Sequence, residues 1–513
     1  MAKAIMIQGT MSNAGKSLVT AGLCRVFHQD GKRVSPFKSQ NMALNSFITA
    51  EGAEMGRAQV VQAEAAGVKP SVLMNPILLK PTSDSGSQVI VNGVAVGTMP
   101  AVEYYKFKTK LIPDIMKAYN TLAEQSDIMV IEGAGSPAEI NLKAQDIVNM
   151  GMARMAKSPV LLVADIDRGG VFASIYGTLM LLEPEERAMV KGVIINKFRG
   201  DVSILKPGLD MLEEKTGIPV IGVLPMLNVD IEDEDSLSER LTQVKSKKAL
   251  IDIAVIKFPR MSNFTDFNVF ELIDGVSLRY VKSTEELGNP DMIILPGTKN
   301  TIDDLKWMRQ NGLETSVLHK ANNGTVVFGI CGGYQMLGQN LSDPFGYDSG
   351  HAGSVTTGMA LLNTETEFVE NKRTIQMKGK FKRVEGIFSA LSGMDFYGYE
   401  IHSGITRLDQ VKALTTVEPI NEKAEPFAEG NQTVRGGMNV YGTYIHGIFD
   451  GEGIAAKIVE ALLAKKGLTM DDVKVIDYQQ YKQQQYDLLA QSVREHLDMK
   501  KIYEIVEKGL DDK

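Results

Sequence analysis

The sequence predicts an α/β protein made of two doubly wound α/β domains, each built on a largely parallel sheet. Short apolar runs of strand length alternate with longer segments of helical periodicity along most of the 513 residues. These runs are continuously apolar, which is expected when helices cover both faces of a parallel sheet. A chain of this length exceeds what one hydrophobic core usually supports, so more than one domain is expected.

The elements follow one another in two series. In the first, a strand over 4–8 leads through a glycine-rich loop into a helix over about 16–30. Further strands of this series are predicted at 33–37, 128–131, 160–164, 192–195 and 220–223. The second series begins with a strand at 251–256 and continues at 292–295, 325–328 and 441–444. Each run is followed by a polar, Gly-rich or Pro-containing loop or by a helical pattern, as in doubly wound folds.

A change in composition separates the two series. An acidic run over 231–240 leads into a basic run over 245–248. We therefore predict a first domain over 1–227, a linker over 228–250 and a second domain over 251–469. Residues 470–513 are rich in Gln, Tyr, Lys and Glu and have helical spacing, so a C-terminal helical segment is expected there.

Charge and cysteine content exclude several classes of protein. The chain has 55 Lys and Arg against 63 Asp and Glu, a net charge of −8, whereas nucleic-acid binding needs clustered basic residues. The longest apolar runs are far shorter than the ~20 residues of a membrane helix, and the N-terminus does not resemble a signal peptide. Of the cysteines, Cys24 is expected to be buried and Cys331 is a candidate nucleophile. A cytoplasmic protein without nucleic-acid or membrane partners is expected.

A phosphate-binding loop follows the first strand. The segment from Gly9 to Ser17 ends in Gly-Lys-Ser and stands between a strand and a helix, which is the context this motif requires. Glycines let backbone N–H groups turn toward phosphates, and the helix N-terminus adds positive potential. The spacing between its glycines is one residue longer than the standard motif. The predicted nucleotide contacts are Gly9, Thr10, Asn13, Gly15, Lys16 and Ser17.

Polar residues stand at the carboxyl ends of the following strands, where open α/β sheets bind ligands. Glu132 can share Mg²⁺ with Ser17, or it can cap its own glycine turn. Asp165 and Asp167 can orient a carboxylate substrate or a metal, or they can cap the next helix, and both interpretations stay open. Asn196 occupies a position that related folds use to contact adenine.

An unusual polar stretch over 36–46 follows the strand at 33–37. Amide and hydroxyl side chains dominate it, and Lys38 carries its only charge. Such a segment offers many hydrogen bonds to a large polar ligand or an acyl phosphate, although a simple Asn- and Ser-rich turn is the alternative. The substrate candidates in it are Lys38, Gln40, Asn41 and Asn45.

A cysteine stands at a strand-to-helix turn in the second domain. Cys331 lies between Gly329 and Gly332, and small residues permit the strained turn that exposes a nucleophile. His446 follows another apolar run and can serve as its base. The N–H groups of Gly297 and Gly332 are the predicted oxyanion hole. Cysteine and histidine together at strand ends of one α/β domain indicate nucleophilic catalysis.

Taken together, these motifs resemble the cobyric acid synthase family. The first domain resembles dethiobiotin-synthetase-like enzymes, which have the same longer phosphate loop, and the domain from 251 resembles class I (triad-type) glutamine amidotransferases. The resemblance covers nearly the whole chain. Its most specific segments are 9–17, 36–46, 329–335 and 441–447.

The resemblance implies an activity. Glutamine would be hydrolysed through a thioester on Cys331 with His446 as base, and the ammonia would pass internally to a carboxylate phosphorylated by ATP with Mg²⁺. The implied substrate is adenosylcobyrinic acid a,c-diamide, amidated at its b, d, e and g carboxylates to give adenosylcobyric acid. The implied partners are glutamine and this corrinoid, and a homo-oligomer stays open. Asp146, after the Glu132 loop, is a weaker candidate for contacts near the corrin side chains.

One position departs from the wider amidotransferase class. Triad enzymes of that class have a carboxylate two residues after the histidine, and Ile448 stands there in this chain. The catalytic set is therefore a Cys–His dyad, or the orienting acid comes from elsewhere.

Two other functions compete with this interpretation. A sister amidotransferase such as cobyrinic acid a,c-diamide synthase is the nearer one, and the stretch from Lys38 to Ser46 argues against it. A partition-type nucleotide-switch ATPase is the other. Such proteins have a lysine early in the phosphate loop, where this chain has Met11, and a switch leaves Cys331 and His446 without a role.

Overall fold

The computed structural model of the chain divides into two compact units. It describes residues 2–82, 86–232, 249–407, 412–421, 425–470 and 477–510. Unit 1 comprises Met1–Ala43, Glu54–Glu234 and Gln479–Lys513, and unit 2 comprises Leu44–Ala53 and Asp235–Tyr478. Each unit therefore contains at least one segment that is distant in sequence from its main part.

Unit 1 is built on a parallel sheet. Its strands are β1 (Lys3–Gly9), β2 (Val34–Phe37), β3 (Gln40–Met42), β5 (Glu54–Gly56), β6 (Ile77–Pro81), β7 (Gly86–Val91), β8 (Val94–Pro100), β9 (Ile128–Glu132), β10 (Val160–Asp165), β11 (Val190–Phe198) and β12 (Val220–Pro225), while β4 (Ser46–Ile48) lies in unit 2. The main sheet has the order β12-β11-β10-β1-β9-β2, and all its pairs are parallel. A smaller sheet has the order β3-β6-β7-β8. The central position of β1 places the loop after it between the ends of β9 and β10.

Helices cover the main sheet of unit 1. They are α1 (Lys16–Gln29), α2 (Arg57–Ala65), α3 (Ala101–Phe107), α4 (Ile112–Gln125), α5 (Met150–Met155), α6 (Val171–Leu181), α7 (Pro184–Met189) and α8 (Val202–Thr216), followed at the end of the chain by α15 (Tyr478–His496) and α16 (Met499–Lys508). Leu489 and Val493 of α15 belong to the same buried cluster as Leu23 and Cys24 of α1. A Cβ added at Gly22 would lie 2.7 Å from a methyl carbon of Val493, so the two helices pack closely. The last helices therefore complete the core of unit 1.

Unit 2 contains a second mostly parallel sheet and an antiparallel one. Its remaining strands are β13 (Ile251–Ile256), β14 (Val276–Val281), β15 (Met292–Leu295), β16 (Val326–Ile330), β17 (Asn340–Asp343), β18 (Ser354–Thr357), β19 (Glu365–Phe381), β20 (Asp395–Arg407), β21 (Thr415–Pro419), β22 (Phe427–Glu429), β23 (Asn431–Arg435) and β24 (Met438–Thr443). The first sheet has the order β14-β13-β15-β16-β24-β23, with only the β23–β24 pair antiparallel. The second has the order β18-β17-β19-β21-β22, and β20 also pairs with β19.

The helices of unit 2 flank its parallel sheet. They are α9 (Asn268–Glu271), α10 (Thr284–Leu287), α11 (Thr301–Gln310), α12 (Leu313–Asn322), α13 (Gly332–Met336) and α14 (Ile454–Lys465). One buried cluster joins β13, β15, β16 and β24 to these helices, and it includes Phe328, Leu295 and Ile458.

The predicted fold class is confirmed, because both units are α/β with parallel sheets and strands form close to the predicted positions. The domain boundaries at 227, 251 and 469 stay a prediction. Most of the predicted linker lies outside the described residues, in 233–248. Neither the assignment of 44–53 to unit 2 nor that of 479–513 to unit 1 was expected from the sequence. Within the described ranges, no helix is long and apolar enough to cross a membrane.

Candidate active sites

The phosphate loop of unit 1 joins the end of β1 to the start of α1. Gly15 adopts a φ of 104°, and a Cβ there would lie 1.9 Å from Asn196 Nδ2, so a side chain is excluded at this position. Asn13 is also left-handed, with a φ of 60°. The Nζ atom of Lys16 donates to the carbonyls of Met11 and Gly135, each at 3.1 Å. The loop thus has the strained, glycine-dependent backbone of a phosphate cradle.

Three side chains converge on the buried carboxylate of Glu132 beside this loop. Glu132 Oε1 accepts hydrogen bonds from Ser17 Oγ at 2.8 Å and from Lys38 Nζ at 2.9 Å. Its Oε2 accepts from Gln62 Nε2 at 2.5 Å. The carboxylate of Glu132 and the ammonium of Lys38 are both almost inaccessible to solvent. Sequence reasoning selected Ser17, Glu132 and Lys38 separately, whereas Gln62, on α2, was missed because a helical glutamine has no distinguishing pattern.

The oxygens of Ser17 and Glu132 fit a bound Mg²⁺. A hydroxyl and a carboxylate are hard oxygen ligands, and Mg²⁺ usually takes only one or two protein ligands together with phosphate oxygens and water. In the described part of the chain, no cluster of three or more His, Cys, Asp or Glu side chains could hold a metal by itself. Such a pair of ligands would suit a cation that also binds phosphate oxygens.

Buried polar atoms without protein partners also fit a nucleotide. Asn196 Nδ2 donates to the Ala14 carbonyl at 2.9 Å, which fixes the amide against the phosphate loop. Among the described residues, no partner is found for Asn196 Oδ1 or for Thr10 Oγ1. Because buried polar groups in native proteins are almost always satisfied, such atoms favour a ligand at these positions.

Asp165 and Asp167 form ion pairs at the end of β10. Asp165 Oδ2 lies 2.8 Å from Lys197 Nζ, and Asp167 Oδ1 lies 3.0 Å from Arg199 Nε. The next helix, α6, has Gly170 as its N-cap residue. The interpretation of these acids as helix caps is therefore wrong. Asp165 is buried, whereas Asp167 is exposed.

The polar stretch that follows β2 is not gathered into one cluster. Asn41 Nδ2 donates to Gln59 Oε1 at 3.0 Å, and Tyr104 OH donates to Gln40 Oε1 at 2.6 Å. Asn45 already belongs to unit 2. Its side chain is buried, and neither its Oδ1 nor its Nδ2 has a partner within the described residues. The candidates thus differ: Lys38 joins the Glu132 cluster, and Asn45 has unused hydrogen-bonding capacity.

Asp146 is engaged within its own loop. Its carboxylate accepts the backbone N–H groups of Val148, Asn149 and Gly151 at 2.8 to 2.9 Å. These hydrogen bonds shape the turn into α5. None of them joins Asp146 to Glu132, Ser17 or Lys38.

In unit 2 the cysteine stands in a strained turn. Cys331 follows β16 and precedes α13, with φ 51° and ψ −110°, a conformation that non-glycine residues rarely adopt. A Cβ at Gly333 would lie 1.9 Å from the Leu295 carbonyl oxygen, so only glycine fits there. The Cys331 Sγ atom lies 3.7 Å from the Ile401 carbonyl of β20. Strain of this kind is typical of a nucleophile elbow.

The two glycines predicted for the oxyanion hole flank this turn. A Cβ at Gly297 would lie 3.1 Å from His446 Cε1, and a Cβ at Gly332 would lie 2.7 Å from Thr298 Cγ2. Gly332 is the first residue of α13, where a backbone N–H has no acceptor within the helix. The structure therefore brings the Gly297 turn, the start of α13 and the imidazole close together.

His446 is oriented by a residue that sequence reasoning did not select. Its Nδ1 lies 2.6 Å from Asp266 Oδ2, and the Gly447 N–H donates to Asp266 Oδ1 at 3.2 Å. Both side chains are buried. Asp266 lies in a 3-10 turn, Phe264–Phe267, after β13. The carboxylate therefore comes from elsewhere, which was one of the two expectations, and it precedes the histidine by 180 residues.

The surroundings of His446 favour its charged form. Burial lowers the pKa of the imidazole, but the negative charge and hydrogen bond of Asp266 and a hydrogen bond with Cys331 outweigh burial and raise the pKa to about 10. Cys331, His446 and Asp266 thus have the arrangement that a nucleophile, its base and an orienting acid would need. By contrast, Cys24 is fully buried as predicted, and burial raises the pKa of its thiol.

Tyr399 contacts this site, and His402 follows Ile401, whose carbonyl lies 3.7 Å from Cys331 Sγ. The ring of Tyr399 stacks on that of His446 with centroids 5.3 Å apart, and the two residues exchange backbone hydrogen bonds of 2.9 and 3.2 Å. His402 stacks on Tyr444 and lies with Nδ1 2.8 Å from the Gly404 carbonyl oxygen. Stacking and backbone contacts of this kind leave no signal in a single sequence.

Comparison with known proteins identifies both halves. Residues 5–237 match the CobQ/CobB/MinD/ParA nucleotide-binding domain, and residues 252–454 match the CobB/CobQ-like glutamine amidotransferase domain. A cobyric acid synthase of Ruminiclostridium cellulolyticum is 58% identical over 100% of this chain and 98% of its own length. The chain belongs to the cobyric acid synthase family.

Other members of the family are similar to this chain over nearly their whole length. The cobyric acid synthase of Lachnoclostridium phytofermentans is 58% identical over 99% of this chain and 100% of its own, and that of Citrobacter koseri is 51% identical over 99% of both. The chain is thus an ATP-dependent glutamine amidotransferase, a ligase that carries out amidation in cobalamin biosynthesis. The glutamine amidotransferase domain argues against the partition-type ATPase.

Proposed function

We propose that the chain amidates the b, d, e and g carboxylates of adenosylcobyrinic acid a,c-diamide with nitrogen from glutamine, giving adenosylcobyric acid. The observation that carries the proposal is that one chain of this family combines a nucleophile elbow next to an oriented imidazole with a phosphate loop whose serine meets a buried carboxylate.

In unit 2, Cys331 attacks the carboxamide carbon of glutamine. The Gly297 and Gly332 N–H groups stabilise the oxyanion, and His446, charged by the proton it has taken from the Cys331 thiol, protonates the departing nitrogen, which leaves as ammonia. Water then hydrolyses the thioester, with His446 as base, to give glutamate and free Cys331. Asp266 keeps the imidazole in the orientation and tautomer that both proton transfers need.

In unit 1, the phosphate loop and Lys16 bind the phosphates of ATP, and Asn196 contacts adenine. Ser17 and Glu132 would hold Mg²⁺. When bound, MgATP would supply the phosphoryl group that converts a peripheral carboxylate into an acyl phosphate; ammonia would then attack the acyl carbon and displace inorganic phosphate. Lys38, whose Nζ lies 2.9 Å from Glu132 Oε1, would add a positive charge beside the metal ligands, which could stabilise negative charge during phosphoryl transfer.

The corrinoid substrate has a wider set of candidate contacts than the nucleotide. Gln40, Asn41, Asn45, Asp146, Asp165 and Asp167 remain the candidate contacts for the corrinoid. Of these, Asn45 has the strongest support, because both polar atoms of its buried amide have no partner among the described residues.

Mass spectrometry tests the proposal. Cobyrinic acid a,c-diamide in its adenosylated form is incubated with the protein, MgATP and glutamine, and products lighter by about one mass unit for each OH replaced by NH₂ are expected. The variant Cys331→Ala is run in parallel. It should lose activity with glutamine but keep it with added ammonia, because only the nitrogen supply depends on the thiol.

The outcomes are distinct. No mass change with the wild-type protein would contradict the corrinoid assignment, and product from cobyrinic acid but not from its a,c-diamide would favour the sister synthase. Loss of the ammonia-dependent reaction in Cys331→Ala would contradict the separation of nitrogen supply from amidation.

A further inference from the structure

The segment 44–53 is the part of unit 2 that comes from the first half of the chain. The carbonyl oxygen of Ser46 in this segment accepts hydrogen bonds from Asn263 Nδ2 at 3.1 Å and from Tyr399 OH at 3.0 Å. Asn263 Nδ2 also lies 2.8 Å from Tyr399 OH. The three residues are each at most 6% exposed, so this closed triangle of polar groups is buried.

Both donors in the triangle are connected to the imidazole of His446. Tyr399 stacks on the ring of His446 and exchanges backbone hydrogen bonds with it. Asn263, in a left-handed conformation with a φ of 54°, is the N-cap of the 3-10 turn that carries Asp266. The Ser46 carbonyl therefore joins the residue beside the base to the turn that holds its orienting acid.

Further contacts bind the rest of the segment to β19 and β20. Gln376 Nε2 donates to the Ile48 carbonyl at 2.7 Å, and Thr374 Oγ1 donates to the Gly52 carbonyl at 3.0 Å. Ile48 is fully buried in a cluster with Tyr399 and Ile401. The segment is thus an integral part of unit 2, although it lies outside the residues that match the amidotransferase domain, 252–454.

We propose that the segment 44–53 is a positioning element of the glutaminase site. Its Ser46 carbonyl holds Tyr399 and Asn263, and these two residues hold the His446–Asp266 pair in the geometry that glutamine hydrolysis needs. This inference rests on the proposed glutaminase function of Cys331 and His446. The segment acts through other residues and does not touch glutamine, so its loss should lower kcat and leave KM for glutamine unchanged.

Two variants test the positioning role of the segment 44–53, one at Ser46 and one at Ile48. Tyr399→Phe keeps the ring on His446 but removes the hydroxyl that binds Ser46, and Gln376→Ala loosens the segment at Ile48. We expect kcat for glutamine hydrolysis to fall roughly fivefold in Tyr399→Phe and about twofold in Gln376→Ala, sizes typical of one lost neutral hydrogen bond. The double variant should be no slower than Tyr399→Phe alone, because both changes disturb the same support.

The controls separate this role from a general loss of structure. Tyr397→Phe, two residues away on β20 and 70% exposed, should keep the wild-type kcat. Ammonia-dependent amidation should stay at the wild-type rate in every variant. Wild-type kcat in Tyr399→Phe, or an effect in Tyr399→Phe with none in Gln376→Ala, would overturn the proposal. If the wild-type protein itself failed to hydrolyse glutamine, the proposed function would fall instead.

Discussion

Replacing Asp266 with asparagine tests the catalytic arrangement in unit 2 most directly. The side chain keeps its size, but the negative charge 2.6 Å from His446 Nδ1 is removed. An amide can also present its NH₂ group to the ring, which would favour the tautomer with the wrong nitrogen protonated.

The size of the effect follows from the contact. A buried, charge-assisted hydrogen bond contributes about 1.5–3 kcal/mol, which corresponds to roughly 10- to 100-fold in rate. A change of tautomer adds to that loss, so we expect kcat/KM for glutamine to fall by about 100-fold or more. The pKa of His446 should also fall, because burial lowers it and the charge of Asp266, the largest of the effects that raise it, is gone.

The rate of glutamate release measures the fall in kcat/KM for glutamine. Ammonia-dependent amidation serves as the internal reference, and its rate should not change. Asp274→Asn is a matched control, because this exposed acid lies eight residues further along the same unit. Glutamine hydrolysis at the wild-type rate in Asp266→Asn would refute the role of Asp266 and leave a Cys–His dyad.

Three further predictions concern both units. Glu132→Gln should abolish amidation with either nitrogen source but leave glutamine hydrolysis intact. It should also lower the free energy of unfolding by about 3–5 kcal/mol, since the buried Lys38 ammonium loses the negative charge 2.9 Å from it, and denaturant titration measures this. Asn196→Ala should raise KM for ATP by roughly tenfold without changing KM for glutamine, as steady-state kinetics would show. Because the fold raises the pKa of His446 from 6.5 to about 10, the charged imidazole should stabilise the folded state fully below pH 6.5. This contribution should be lost as the pH rises to about 10. The difference in unfolding free energy between the wild type and Asp266→Asn should therefore shrink over that range, and a constant difference would contradict the assignment.

Local patterns were sufficient to predict much of the fold. Continuous apolar runs identified the parallel strands, and the phosphate loop and cysteine turn were recognisable because their glycines are required by backbone geometry. Glu132 could be selected because the carboxyl end of a buried strand is where such sheets bind ligands.

Residues brought together by tertiary structure could not be predicted in this way. Asp266 and His446 are 180 positions apart, and nothing near Asp266 distinguishes it from other loop acids. The same holds for Gln62, whose amide meets Glu132 from α2. Asp165 shows the opposite case: its proximity in sequence to α6 left a helix cap open as one of two interpretations, but Gly170 occupies the N-cap position.

The exchange of segments between the two halves limits how this protein can be divided in evolution or by engineering. Unit 2 takes 44–53 from the first half of the chain, and unit 1 takes 479–513 from its end. A gene split near residue 235 would therefore give two polypeptides that each lack a piece of their own core. Fission of such a gene into separate glutaminase and synthetase subunits would first require both pieces to be replaced, so the fused arrangement is expected to persist once it has formed.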